Sequence, residues 1–350
     1  MEGLGKFPEE HFGPFLPYLQ NDDVTDICWN GQDLWVDDIY KGRYKLKGEE
    51  VSPNMKLFVD QFSSRVANLA GVAFNQYDTL LETQIGLFRI SIVHSYAAHT
   101  GTSVAIRRTS DKCRLEEEWC LENGYTTKEI WDFLPKIVKS GFSVIAGGLP
   151  GTGKTELLKL LSQSIPPYER AIVIEDSPEF HYRSINPESD CTEWKISETF
   201  TYEMALKASL RQRPDWNILA EARGREALYL MENFSSGLKV LTSTHLDEYY
   251  NLVSRMENMI AEPMLADRIK NEMYLRGICV AVLKRTIQED GSGIKRHLDQ
   301  LAFLSRENGE PTTTLIVDEG RIVNRELPPN ILKKFKRAGF DDPLNCKERS

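Results

Sequence analysis

The chain has 350 residues, 41% hydrophobic and 27% charged, values near globular averages that exclude wholesale disorder and a fibrous architecture. Two domains, or one domain with a large elaboration, are expected at this length, because single cores stop growing near about 250–300 residues. The formal net charge of −9 disfavours a general nucleic-acid binder, although Lys and Arg gather at Arg107-Arg108 and across Lys333-Lys334-Phe335-Lys336-Arg337.

The amino end, Met1 to Glu10, shows neither a basic n-region nor an apolar h-region. No later stretch approaches the ~18 consecutive apolar residues of a membrane span, so a cytoplasmic location is expected. Val24 to Gly31 and Leu34 to Asp37 are short apolar-rich runs split by Asn30-Gly31, a hairpin signal. Met55 to Ala70 carries Leu57, Phe58, Phe62, Val66 and Leu69 at helical spacing, which predicts one apolar face. Strand character returns over Leu87 to Val93 and Thr102 to Arg108. These elements predict a small α+β amino-terminal domain over 1–110. The polar, charged run that follows suits a linker over 111–125.

From Thr126 the pattern alternates: a helix to Lys139, a strand over Ser143 to Gly147, a helix from Glu156, and a strand over Ala171 to Asp176. A helix from Thr201 to Arg213, a strand from Asn217 to Glu221, a helix from Arg225 to Ser236 and a strand from Val240 to His245 continue it. Such alternation predicts βαβ units and a mainly parallel sheet in an α/β domain over 126–350. Two helices over 247–276, strands near Cys279 and from Thr312 to Val323 with a turn at Asp318-Glu319-Gly320, and a basic helix after Pro329 form the carboxy-terminal elaboration. The six cysteines are scattered with no C-x-x-C pair, which excludes a zinc knuckle or thioredoxin-type motif.

Gly148-Leu149-Pro150-Gly151-Thr152-Gly153-Lys154-Thr155 follows the apolar strand and opens the helix beginning at Glu156, the context a phosphate-binding P-loop requires. Glycines let backbone N–H groups curl around phosphates, lysine reaches the β/γ-phosphates, and the Thr155 hydroxyl is suited to Mg²⁺. ATP or GTP binding is therefore expected, with Gly148, Pro150, Gly151, Thr152, Gly153, Lys154, Thr155 and Glu156 forming the cradle. Ligands of open α/β sheets lie beyond the carboxyl ends of the strands, so Lys154, Glu175, Asp176, Glu179, Glu221 and His245 are expected to converge there.

Four strings in this order resemble the secretion and pilus traffic ATPases of the type II/type IV secretion superfamily. They are the P-loop, Ile174-Glu175-Asp176-Ser177-Pro178-Glu179, Leu210 to Asp215 with Ala220-Glu221-Ala222-Arg223-Gly224, and Thr242-Ser243-Thr244-His245. They are similar to the family's Walker A, Asp box, Walker B and His box. The ending from Leu327 to Phe340 resembles the Tad pilus (CpaF-type) branch, which also occurs in conjugative elements. Ala220 and Arg225 stand where the family usually has glycine, Leu149-Pro150 where it more often has small residues, and the tetracysteine zinc module of pilus-extension ATPases is absent.

The resemblance implies a P-loop, RecA-like core and Mg²⁺-dependent ATP hydrolysis in a homo-oligomeric ring, with a hexamer expected. It also implies partners in an inner-membrane secretion or pilus platform and work at the cytoplasmic membrane face, with no direct nucleic-acid contact. Peripheral association of the basic tail with anionic lipid is a further option. Thr155 and Glu221 would manage Mg²⁺, with Glu175 and Asp176 as orienting or metal-sphere groups. Glu179 is the leading candidate to polarise water, and His245 would sense the γ-phosphate. Arg107 or Arg108 would neutralise developing charge, with Arg89 and Arg211 as weaker candidates of the same kind. A nucleotide-gated scaffold with negligible turnover and a DNA-translocating ring stay open as rival readings.

Overall fold

The computed structural model describes residues 7–47, 51–222, 224, 226–260, 263–287 and 293–345. The chain divides into two compact units: Met1–Ser110 with Ile287–Ile294, and Asp111–Thr286 with Lys295–Ser350. Two sheets, one of six and one of nine strands, organise the described residues as a mixed α/β fold.

In the first unit, a 3₁₀ segment Glu9–Phe15 leads into α1 (Leu16–Leu19), β1 (Val24–Trp29), β2 (Leu34–Asp38) and β3 (Gly42–Lys45). Then come α2 (Met55–Ala70), β4 (Leu80–Ile85), β5 (Phe88–Val93) and β6 (Ser103–Arg108). The strands pair antiparallel in the order β3-β2-β1-β6-β5-β4. The predicted hairpin at Asn30-Gly31 is present, and the Asn30 carboxamide oxygen accepts from the Gln32 and Asp33 N–H groups. Alternate residues such as Ile27, Val36, Ile90, Ile92, Val104 and Ile106 line one face and pack on α2 and Phe7, Phe12 and Phe15. The face of α2 needs correction: Met55, Val59, Phe62, Ser63, Val66 and Ala67 are buried, whereas Leu57 is 60% exposed and Leu69 37%. At about 100° per residue, the buried set centres near Val59 and Val66, which puts Leu57 on the opposite side of the helix and Leu69 about 70° off centre.

The second unit opens with α3 (Glu117–Glu122) and α4 (Lys128–Lys139), followed by β7 (Val144–Gly148), α5 (Lys154–Ser162), β8 (Ala171–Glu175) and α6 (Tyr182–Ile185). It continues with β9 (Cys191–Lys195), α7 (Tyr202–Arg211), β10 (Trp216–Leu219), α8 (Glu226–Ser235) and β11 (Lys239–Thr244). After α9 (Leu252–Asn258) and α10 (Pro263–Arg276) the chain forms β12 (Cys279–Ile287), β13 (Ile294–Glu307), β14 (Glu310–Asp318), β15 (Arg321–Ile322) and α11 (Pro329–Arg337). The sheet order is β15-β14-β13-β12-β7-β11-β10-β8-β9; β12 through β9 run parallel, β13 neighbours β12, and β14 and β15 follow β13 by antiparallel pairing.

Strands β7, β8 and β10 are buried along their whole length, as a sheet covered on both faces requires. Alternation assigns their side chains to two cores. Val144, Ala146, Ala171, Val173, Ile218 and Leu241 fill one, while Ile145, Ile172, Ile174, Leu219 and Val240 fill the other. The segment 111–125, expected as a linker, instead contains α3 and packs onto the first of these cores through Leu115, Trp119, Cys120 and Tyr125. Those apolar side chains, spaced among the acids, outweigh the polar average of the run.

Candidate functional site

The register of the parallel strands builds the site. Thr244 of β11 pairs with Gly147 of β7, and Leu219 of β10 pairs with Thr242 of β11. His245, one residue past β11, and Glu221, two past β10, therefore emerge at the carboxyl edge where the glycine-rich loop leaves β7. Glycine is required in that loop at two positions, at Gly148 by a close approach to backbone and at Gly151 by its positive φ, the Arg285 guanidinium near it being the movable end of a side chain. Gly148 adopts φ +151, and a Cβ there would lie 2.4 Å from Thr152 Oγ1 and 2.8 Å from the Leu283 carbonyl oxygen. Gly151 adopts φ +75, and a Cβ there would lie 2.9 Å from an Arg285 guanidinium nitrogen. Thr152 is buried and its Oγ1 donates to Leu149 O at 2.9 Å, which closes the loop on itself.

Lys154 opens α5 and is only 8% exposed. Its Nζ donates to Gly148 O at 2.9 Å and Leu149 O at 3.3 Å, and stands 3.4 Å from His245 Nδ1. His245 Nδ1 is also 3.4 Å from Gly148 O, and its Nε2 lies 2.9 Å from Glu221 Oε1. Lys154, His245 and Glu221 thus form one contiguous group beside the α5 amino terminus, where negative charge is favoured.

Glu175 closes β8 and is buried. Its Oε1 accepts the Glu179 N–H at 3.2 Å and the Phe180 N–H at 3.0 Å. Burial pushes its carboxyl up to about 8, and the neighbouring Glu179 and Glu193 charges push the same way. Glu175 and Glu179 are thus joined to each other, and β11 and β10 stand between β8 and β7. Asp176 is exposed and accepts the Ser177 N–H at 2.8 Å. The Glu156 carboxylate accepts the Arg114 N–H at 2.9 Å and stands 3.3 Å from the buried Lys159 ammonium, so it braces α5. Thr155 is half-buried in the first turn of α5, and Pro150 is exposed. Arg223 and Arg225 lie outside the described residues.

Arg107 and Arg108 belong to the first unit. Arg107 Nε donates to Asp26 Oδ1 at 2.8 Å, and Arg108 pairs with Asp22. Arg108 Nε and Nη1 are buried with no hydrogen-bond partner among the described residues.

No group of three or more His, Cys, Asp or Glu side chains among the described residues is arranged to hold a metal ion. Mg²⁺ does not need one, because it keeps waters and phosphate oxygens and takes one or two protein oxygens. The Thr155 hydroxyl and Glu221 carboxylate are donors of that class, so the residues fit.

Arg285 and Arg296 also stand against the loop, and the sequence reading passed over both. The Arg296 Nε donates to Gly151 O at 2.8 Å. The signal was available: β12 is another apolar strand ending in polar residues, Lys284 and Arg285, the pattern that singled out β8, β10 and β11.

Residues 79–328 match the model of the family described as Type II/IV secretion system protein. An uncharacterized protein of Bacillus anthracis is 28% identical over 287 residues, spanning 80% of this chain but 64% of that relative. The type IV secretion system protein VirB11 of Brucella suis is 25% identical over 329 residues, covering 84% of this chain and 89% of that relative. Among solved structures, the Legionella pneumophila ATPase DotB superposes with TM-score 0.61 at 15% identity, covering 87% of this chain and 83% of that one, a likeness of fold. With the family model matched across both sheets, this chain belongs to the type II/IV secretion system protein family.

Proposed function

We propose that the chain is a Mg²⁺-dependent ATPase with a P-loop, RecA-like core that powers a type IV secretion, conjugation or Tad-type pilus machine as a homo-oligomeric ring. The observation that carries this reading is the contiguous Lys154–His245–Glu221 group at the mouth of the glycine-rich loop. The loop amides and Lys154 bind the phosphates, and Lys154 exchanges its Gly148 and Leu149 carbonyl partners for phosphate oxygens. His245, in contact with both side chains, passes that change to Glu221. Thr155 and Glu221 would hold Mg²⁺, which supplies charge neutralisation on the phosphates.

Water activation is assigned to Glu179, which Glu175 positions by accepting its N–H. Glu175 itself, with a carboxyl raised to about 8 by burial, is largely protonated at neutral pH and is a poor metal-sphere or base candidate there. Both arginines hold an ion pair, Arg107 with Asp26 and Arg108 with Asp22, and Arg108 is the better candidate for neutralising developing charge because two further donors of its guanidinium are left without a partner among the described residues. No helix of the described residues is long and apolar enough to cross a membrane, so membrane work would run through platform partners. The test is hydrolysis of ATP with Lys154→Ala as blank. Magnesium-dependent turnover that vanishes in the variant supports the reading, and nucleotide binding without turnover favours the gated scaffold.

A further inference from the structure

Beside the glycine-rich loop the second unit gathers arginines that no motif of the core accounts for. Strand β12 pairs with β7 up to Leu283↔Gly148, so its continuation carries Arg285 alongside the loop. An Arg285 guanidinium nitrogen lies 2.9 Å from where a Gly151 Cβ would stand, and Arg296 of β13 donates to Gly151 O. Arg114, whose own N–H is fixed on the Glu156 carboxylate of α5, lies close enough to act on the same charges. Burial, and then repulsion from Arg285 and Arg114, lower the pKa of Arg296. Among the described residues no carboxylate pairs with Arg285. Like-charged guanidinium groups gathered beside one loop repel one another, and the ligand that relieves the repulsion is an anion with several charged oxygens, which the planar fork of arginine grips in pairs.

We propose that Arg285 and Arg296 form an arginine rim that binds the polyphosphate of the nucleotide in the same subunit. The inference rests on the nucleotide-site reading above and adds binding residues outside its four motifs. It also separates these two arginines from any arginine supplied across a subunit boundary, because their effect on binding is independent of assembly.

The test is equilibrium binding of MgADP, MgATP and inorganic tripolyphosphate by calorimetry to the full chain, for wild type, Arg285→Ala, Arg285→Lys and Lys154→Ala, at two salt concentrations. Arg285 is exposed, so its truncation leaves the fold intact. Loss of a charge-assisted contact predicts about tenfold or weaker binding of all three ligands in Arg285→Ala, a shallower salt dependence, and partial recovery in Arg285→Lys. The effect is the same at low and high protein concentration. Wild-type affinity in Arg285→Ala while Lys154→Ala abolishes binding overturns the rim and leaves the nucleotide site standing. Absence of binding by the wild type overturns both.

Discussion

At the scale of single residues, Glu175 carries the sharpest pH signature. Its carboxyl is raised from an ordinary 4.5 to about 8, chiefly by burial and against two opposing backbone N–H bonds. The folded protein therefore binds more protons than the unfolded chain between those values. The contribution of Glu175 to stability is full below about pH 4.5 and is lost as pH rises through about 8. Glu175→Gln retains an oxygen for the Glu179 and Phe180 N–H groups and cannot ionise. Thermal melts from pH 5 to pH 9 should show the variant gaining on wild type as pH rises; a constant gap would mean that Glu175 does not change charge over this range. Gly148→Ala is the second residue-scale prediction. Its Cβ meets Thr152 Oγ1 and backbone of β12 in a conformation that favours glycine, so nucleotide binding should fall at least tenfold, measured against Lys154→Ala in the same assay.

At the scale of elements, the basic helix α11 is held by its apolar side. Phe335 is buried, with ring centroids 4.8 Å from Phe142, 5.5 Å from Phe133 and 6.1 Å from Phe303. Truncation to alanine should cost about 3–5 kcal/mol, seen as an earlier denaturant midpoint, whereas a surface helix would lose little. The strands β7, β8, β10 and β11 were legible because each is short, carries a cluster of apolar residues and alternates with a helix along the chain. Strands β9 and β13 were not: Cys191-Thr192-Glu193-Trp194-Lys195 reads as polar, and Lys295, Arg296, His297, Asp299 and Gln300 hide the first half of a 14-residue strand. What makes β13 viable is a polar network visible only in three dimensions. There Lys284 bridges Glu248 at 2.7 Å and Asp299 at 2.8 Å, and Gln300 donates to Asp318 at 3.1 Å. The helix face of α2 was misread for a related reason, since several apolar residues fit more than one stripe and packing chose among them.

At the scale of the whole molecule, the break near residue 110 and the carboxyl-edge position of Lys154, Glu221 and His245 follow from chain order and strand alternation, whereas the membership of Ile287–Ile294 in the first unit, against the expected 126–350 domain, does not. The pairing of His245 with both Lys154 and Glu221 does not, because it depends on strand order across β7, β11 and β10. Arg285 and Arg296 escaped for the same reason: their proximity to the loop comes from β12 and β13 extending the sheet on the far side of β7. A ring with arginines shared between subunits requires assembly for turnover, so specific activity should rise with protein concentration and then saturate. The central claim is tested most directly by Mg²⁺-dependent ATP hydrolysis per subunit across a concentration series, with Lys154→Ala in parallel. The account predicts turnover that appears with concentration and is lost in the variant; equal phosphate release by wild type and Lys154→Ala at every concentration would contradict it.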